Sequence, residues 1–201
     1  MKFKLFLLMI SYTSLTMAQP NTTGIFKSHA DIGNPAVKGD VQYESGTQTY
    51  TIKGGGYNIW FNRDEFQYAY NTLKGDFILT ANVKLIGEGK DPHRKIGWMI
   101  RAGEQEDAAH MSAVLHGDGL TVLQWRRLRG AYMRDPQDEI FSIKKNAEII
   151  QLERIGKMFI MRTANAGEPL QEVGRTDMID MPDEVLGGLF VCSHNAAAEE
   201  T

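Results

Sequence analysis

Between His110 and Arg127 the chain reads HMSAVLHGDGLTVLQWRR, and its period-two alternation restricts the fold more than any other feature. In an extended strand, residues two apart share a face. Met111, Ala113 and Leu115 make one apolar set, while His110, Ser112, Val114 and His116 make the other. Beyond Gly117-Asp118-Gly119, Leu123 and Trp125 alternate with Val122, Gln124 and Arg126. Asp-Gly between two alternating runs marks a hairpin, because a tight turn needs residues that tolerate positive φ.

The same period recurs along the chain. Runs at 41–45 and 48–53 flank Gly46-Thr47, and 57–61 follows three glycines. The 65–70 segment is rich in aromatics, and 77–86 places Phe77, Leu79, Ala81, Val83 and Leu85 on one parity. Further strands are expected at 96–101, 149–155, 158–163 and 186–194, with the third and second of these joined at Gly156-Lys157. No segment has a sustained helical period, and 104–109 is too short to be more than a loop turn. Many short strands separated by turn residues predict an all-β antiparallel sandwich, of the two-sheet jelly-roll type. A chain of 201 residues, 42% hydrophobic and 23% charged, suits one globular domain with a real core, placed at 26–194.

The N-terminus has a different character. Lys2 and Lys4 precede an apolar run at 5–10, and Thr16-Met17-Ala18 offers small residues to a signal peptidase. This predicts a leader at 1–18, a short linker at 19–25, and a periplasmic or extracellular product. The run is far shorter than the ~20 residues a membrane span requires, so no transmembrane span is expected. Loss of Lys2 and Lys4 makes the formal net charge of −3 more negative, which argues against a nucleic-acid partner. Cys192 is the single cysteine, so no intrachain disulfide forms; the run 188–192 predicts a buried, inert thiol.

Three stretches, GGGYNIWFNRDEF (54–66), DPHRKIGWMIR (91–101) and HGDGLTVLQWRR (116–127), resemble a secreted bacterial domain of the concanavalin A-like lectin/glucanase fold. Such domains stand alone or precede a TolB-like β-propeller. The resemblance spans nearly the whole mature chain and implies a two-sheet jelly roll, with no settled enzymatic activity. Such domains usually add one strand after the region of Cys192-Ser193-His194. Here 195–201 is strand-poor in composition, so it is expected to be a tail truncated before a final strand, leaving an unpaired edge.

Sorting by parity predicts a polar, open sheet face carrying Trp60, Arg101, His110, Ser112, His116, Gln124 and Arg126. Planar donors beside an indole suit a sugar: hydroxyls take hydrogen bonds and a pyranose face stacks on the ring. Arg101 and Arg126 are also expected to be able to grip a carboxylate or sulfate in bidentate fashion. The competing expectation is that the face only meets water, or is covered by a loop.

No catalytic, cofactor or metal set emerges. Asp64 and Glu65 are adjacent and point apart in a strand. His110 and His116 are roughly 20 Å apart in a continuous strand, too far to share one metal. Gly54-Gly55-Gly56 lacks a following helix and is no phosphate loop. His93 and Arg94 are placed in a turn where they either rim a pocket or solvate a loop. The leading expectation is therefore an exported, non-catalytic module that binds carbohydrate or another extracytoplasmic partner. A glycan hydrolase using Glu104, Glu106 or Asp138 is a second expectation, and a structural domain that docks a propeller or protein is a third.

Overall fold

A computed structural model describes residues 23–201; the expected leader and linker residues 1–22 lie outside the described residues. Every regular element described is a strand: β1 (Ser28–Ile32), β2 (Asp40–Glu44), β3 (Thr49–Lys53), β4 (Ile59–Trp60), β5 (Arg63–Asp64), β6 (Phe66–Lys74), β7 (Phe77–Asn82), β8 (Lys95–Arg101), β9 (His110–His116), β10 (Thr121–Arg126), β11 (Glu139–Phe141), β12 (Ile149–Ile155), β13 (Met158–Ala164), β14 (Gln171–Asp177) and β15 (Glu184–Cys192). A seven-stranded sheet has the order β1-β6-β15-β8-β9-β10-β11, and a four-stranded sheet the order β14-β13-β12-β7. All their pairings are antiparallel. The β2-β3 and β4-β5 hairpins complete the set.

The two larger sheets enclose one apolar core, so the molecule is an all-β sandwich. Trp98, Ile100, Met111, Leu115, Leu123 and Trp125 enter the core from the seven-stranded sheet. Ile150, Leu152, Phe159 and Met161 meet them from the four-stranded sheet. Phe77, Leu79, Ala81, Val83 and Leu85 pack against this core, as their shared parity requires.

The hairpin at 117–119 forms as its residues dictate. The His116 N–H donates to Leu120 O at 2.8 Å, and Asp118 Oδ1 accepts from the Leu120 N–H at 3.0 Å. Gly119 alone of the three takes positive φ, +84°, so the turn has three residues and not two. Strands β1, β11 and β14 lack a readable sequence period. Their residues, such as GlnGluValGlyArgThrAsp in β14, are mostly polar, and they join the sheets through backbone pairing.

The 195–201 segment, expected to be a strand-poor tail, packs against the domain. Gly54 and Glu200 exchange both backbone hydrogen bonds at 3.0 Å. The buried Glu200 carboxylate pairs with buried Arg94 at 2.6 Å, and Thr201 O accepts from the Ile86 N–H at 2.8 Å. Among the described residues β7 pairs on one side only, and an apolar groove of about 310 Å³ separates its free edge from β3.

The decisive departure from expectation is that β8, β9 and β10 are buried along their whole length, on both faces. A second apolar cluster, including Ile59, Phe66, Tyr68, Met99, Val114 and Phe190, occupies the outer face of the seven-stranded sheet. Gly97 lies on that face with φ +151°, and a Cβ there would come within 2.0 Å of Ala113 O. A central strand has no room to relieve that overlap. Gly97→Ala should lower the unfolding free energy by about 3 kcal/mol, read from urea midpoints at constant m; an unchanged midpoint would mean the β8–β9 register is not the one described.

Candidate functional site

The register brings the sequence-predicted residues together. Arg101 pairs with His110, and His110 with Arg126. Ser112 faces Gln124, and Lys95 faces His116. Cross-strand partners share a face, so Arg101, His110, Ser112, His116, Gln124 and Arg126 do lie on one side of the sheet. That side is not open at its lower end. Arg101, His110, Ser112 and Arg126 are fully buried beneath β4, β5 and the 102–109 loop.

The cover exists because two guanidiniums there need an anion. Asp64 supplies it. Arg126 grips Asp64 with two hydrogen bonds, Nη2 to Oδ1 at 2.6 Å and Nη1 to Oδ2 at 2.7 Å. Arg101 Nη1 also donates to Oδ2 at 2.7 Å. Other guanidinium hydrogens reach Gly103 O and Gln105 O from Arg101, and Ala108 O, Trp60 O and Phe61 O from Arg126, while the buried Nε of Arg126 has no partner. Arg101 and Arg126 therefore cannot clasp an external carboxylate or sulfate, which corrects that expectation. Asp64 has no distinguishing neighbour in sequence, because its partners lie 37 and 62 residues away. The signal that could have found it was two arginines on one sheet face, which require a buried acid.

Burial alone would push the Asp64 carboxyl up, but Arg101 and Arg126 hold it below the usual carboxylate range. His110 is driven well below its ordinary value, first by burial and then by the two arginines, against the pull of Asp64. It stays neutral, with Nε2 unpaired and Nδ1 3.4 Å from Ser112 Oγ. Ser112 is further tied to Gln124 O at 3.3 Å.

Farther along the same face the cover parts. A cavity of about 300 Å³ opens over His116 and Gln124, with half-buried Trp60 on its wall. This is within the low end of ordinary small-molecule sites. One end is basic: His93, Lys95, His116 and His194 gather there beside Asn58. The His93 ring lies 5.7 Å from that of His116 and 5.4 Å from that of His194, centroid to centroid. Lys95 is buried, and its ammonium donates to Asn58 Oδ1 and His93 O, both at 3.0 Å. Neither ring nitrogen of His116 has a partner. Burial, then Lys95, pushes His116 down to about 2. The other end is acidic, with Asp135 and Glu139. Burial and the hydrogen bond to Asp135 push Glu139 up to about 7. Of the expected site residues, Trp60, His116 and Gln124 line this cavity. Asn58, Lys95, His194, Asp135 and Glu139 join them, residues that sequence reasoning had not put in a site.

The acids considered for hydrolysis disperse. Exposed Glu104 accepts from the Tyr70 hydroxyl. The Glu106 backbone carbonyl holds the Asp64 N–H at 2.8 Å. Asp138 is buried and ion-paired with Arg127 and Arg134, each at 3.2 Å. None of the three lines the cavity. Cys192 is fully buried, and burial pushes its thiol up to about 11. No group of three His, Cys, Asp or Glu side chains among the described residues is arranged to hold a metal ion.

His110 and His116 are neutral in the fold and take up a proton only on unfolding, below their ordinary value of 6.5. Their depressed values mean that stability falls as pH drops through about 6.5. The slope from this pair approaches about 3 kcal/mol per pH unit at full titration. His116→Gln should remove one proton equivalent from the slope between pH 6 and 4, measured by urea unfolding. An unchanged slope would show that His116 titrates alike in both states. At the triad, Asp64→Asn should cost about 3–5 kcal/mol, because it strands two buried cations.

No family model matches the chain, and no curated protein matches it. The fold does have a counterpart among solved structures. The chain is similar to a functionally unknown protein from Saccharomyces cerevisiae, at 14% identity and a TM-score of 0.62, with 86% of this chain and 90% of that one covered. At that identity the likeness concerns the fold alone.

Proposed function

We propose that the protein is an exported, non-catalytic β-sandwich of the concanavalin A-like jelly-roll kind that binds carbohydrate in the cavity over His116 and Gln124. The observation that carries this reading is the cavity itself: an indole wall at Trp60 beside polar groups on a rigid sheet floor. A pyranose ring stacks on the indole while its hydroxyls exchange with Gln124 and with the acids at the far rim. The floor is preorganised, because β9 and β10 are buried on both faces and cannot repack on binding. Export rests on the leader-like residues 1–18, and the jelly-roll assignment on the three family-like motifs.

A hydrolytic second reading draws on one observation, the carboxyl of Glu139 held near neutrality beside Asp135 on the cavity rim. Its test is product release from polysaccharides, abolished in Glu139→Gln.

Affinity-gel retardation tests the first reading. Wild-type protein should be retarded by at least one immobilised polysaccharide, and Trp60→Ala should weaken retention about tenfold, the scale of one lost ring contact. Retardation that survives Trp60→Ala unchanged, or none on any polysaccharide, would refute binding at this cavity.

A further inference from the structure

We infer that the sugar held in this cavity is acidic, with its carboxylate seated at the end formed by Lys95 and His116. The inference rests on the sugar-binding reading above and adds the chemical class of the ligand.

Lys95 is the central fact. An ammonium has three donors, and two are spent on Asn58 Oδ1 and His93 O. The third has no partner. Both acceptors are neutral, and no carboxylate among the described residues forms an ion pair with Lys95, although it is only 3% exposed. A buried cation without a counter-ion is costly, and most such groups in proteins are paired. Buried Arg101 and Arg126 on this sheet face share Asp64, and buried Arg94 just before β8 has Glu200; buried Arg154 in the other sheet has no carboxylate, but three backbone carbonyls take its guanidinium hydrogens. The nearest acid on the Lys95 side, Asp91, is engaged with His194 at 3.1 Å. Lys95 is thus the one cation lining the cavity for which the fold supplies no anion among the described residues.

His116 stands directly across the ladder from Lys95, only 6% exposed and with both ring nitrogens unpartnered. One of those nitrogens carries a hydrogen and can donate to an anion that reaches Lys95. The exposed His93 ring lies edge-on over His116.

The far rim sets the ligand's polarity. Glu139 lies on β11 opposite Gln124, three strand spacings across and four residues along from Lys95, roughly 20 Å from backbone to backbone. Asp135 and Glu139 there repel a second anion and accept hydrogen bonds from hydroxyls. One anionic group at one end and hydroxyls along the rest describe a uronate-containing disaccharide, with a ring against Trp60.

The test is calorimetric titration of the full chain with disaccharides of glucuronate, galacturonate and mannuronate, each against its own methyl ester. Esterification removes the charge and keeps the shape. At least one uronate should bind ten or more times tighter than its ester, and Lys95→Gln should close that gap. Trp60→Ala should weaken acid and ester alike. Should Lys95→Gln not fold, wild-type protein still decides: the acid, and not the ester, should shift the His116 ring resonances in NMR spectra. Esters that bind as tightly as acids, or a gap that Lys95→Gln leaves intact, would overturn the acidic class while sparing carbohydrate binding. A failure of every acid and ester, with polysaccharide retardation absent as well, would remove both.

Discussion

Two guanidiniums, those of Arg101 and Arg126, face outward from neighbouring parts of one sheet and are nonetheless out of water. Everything on that side of the molecule follows from their need for Asp64. To deliver one carboxylate between them, the chain from 54 to 66 must cross the sheet, turn at Phe61 with φ +54°, and present Asp64 inward. The crossing covers the apolar residues around it, so Ile59 and Phe66 become a second core. The spare guanidinium hydrogens then tie down the carbonyls of the 102–109 loop and the β4–β5 hairpin. A buried ion cluster of this kind contributes less to net stability than its short contacts suggest, because all three groups lose their hydration. Its role here is positional: it fixes where the cover lies, and hence where the cavity begins.

The cavity is what the cover leaves free. Its floor residues belong to the same alternating positions as the triad, roughly 7 Å from Arg126 along β10 at Gln124 and roughly 20 Å from His110 along β9 at His116. The polar floor therefore has two fates within one face. Where an internal carboxylate reaches, the cations are ion-paired and sealed. Where the covering segment instead offers only the Asn58 amide, Lys95 keeps an unspent donor and His116 two unpaired nitrogens.

Much of the fold could be read from alternation. The parity of 95–101, 110–116 and 121–126 assigned every side chain to the correct side of the sheet, because a buried apolar row tolerates no slip in register. What alternation could not tell was whether the polar row meets water. The residues Arg101, His110 and Arg126 look like a solvated face by composition, and the long-range pairing of the two arginines with Asp64, 37 and 62 residues away, makes this part of the face interior. Strands β1 and β14 were illegible for a related reason: their side chains carry no period, and the backbone of a neighbour dictates their form. The cavity's basic end was partly hidden too, since His93, Lys95, His116 and His194 come from separate stretches that only the β15–β8–β9 ladder makes adjacent.

The strand order carries one more implication, for how such a chain is made. Strand β15, the last in sequence of the fifteen among the described residues, lies at the heart of the larger sheet, between β6 and β8. A nascent chain that has not yet released this segment from the ribosome holds two half-sheets whose facing edges have nothing to bond. Assembly must wait for the missing central plank, so folding is late, non-local and exposed to wrong edge pairing in the interval.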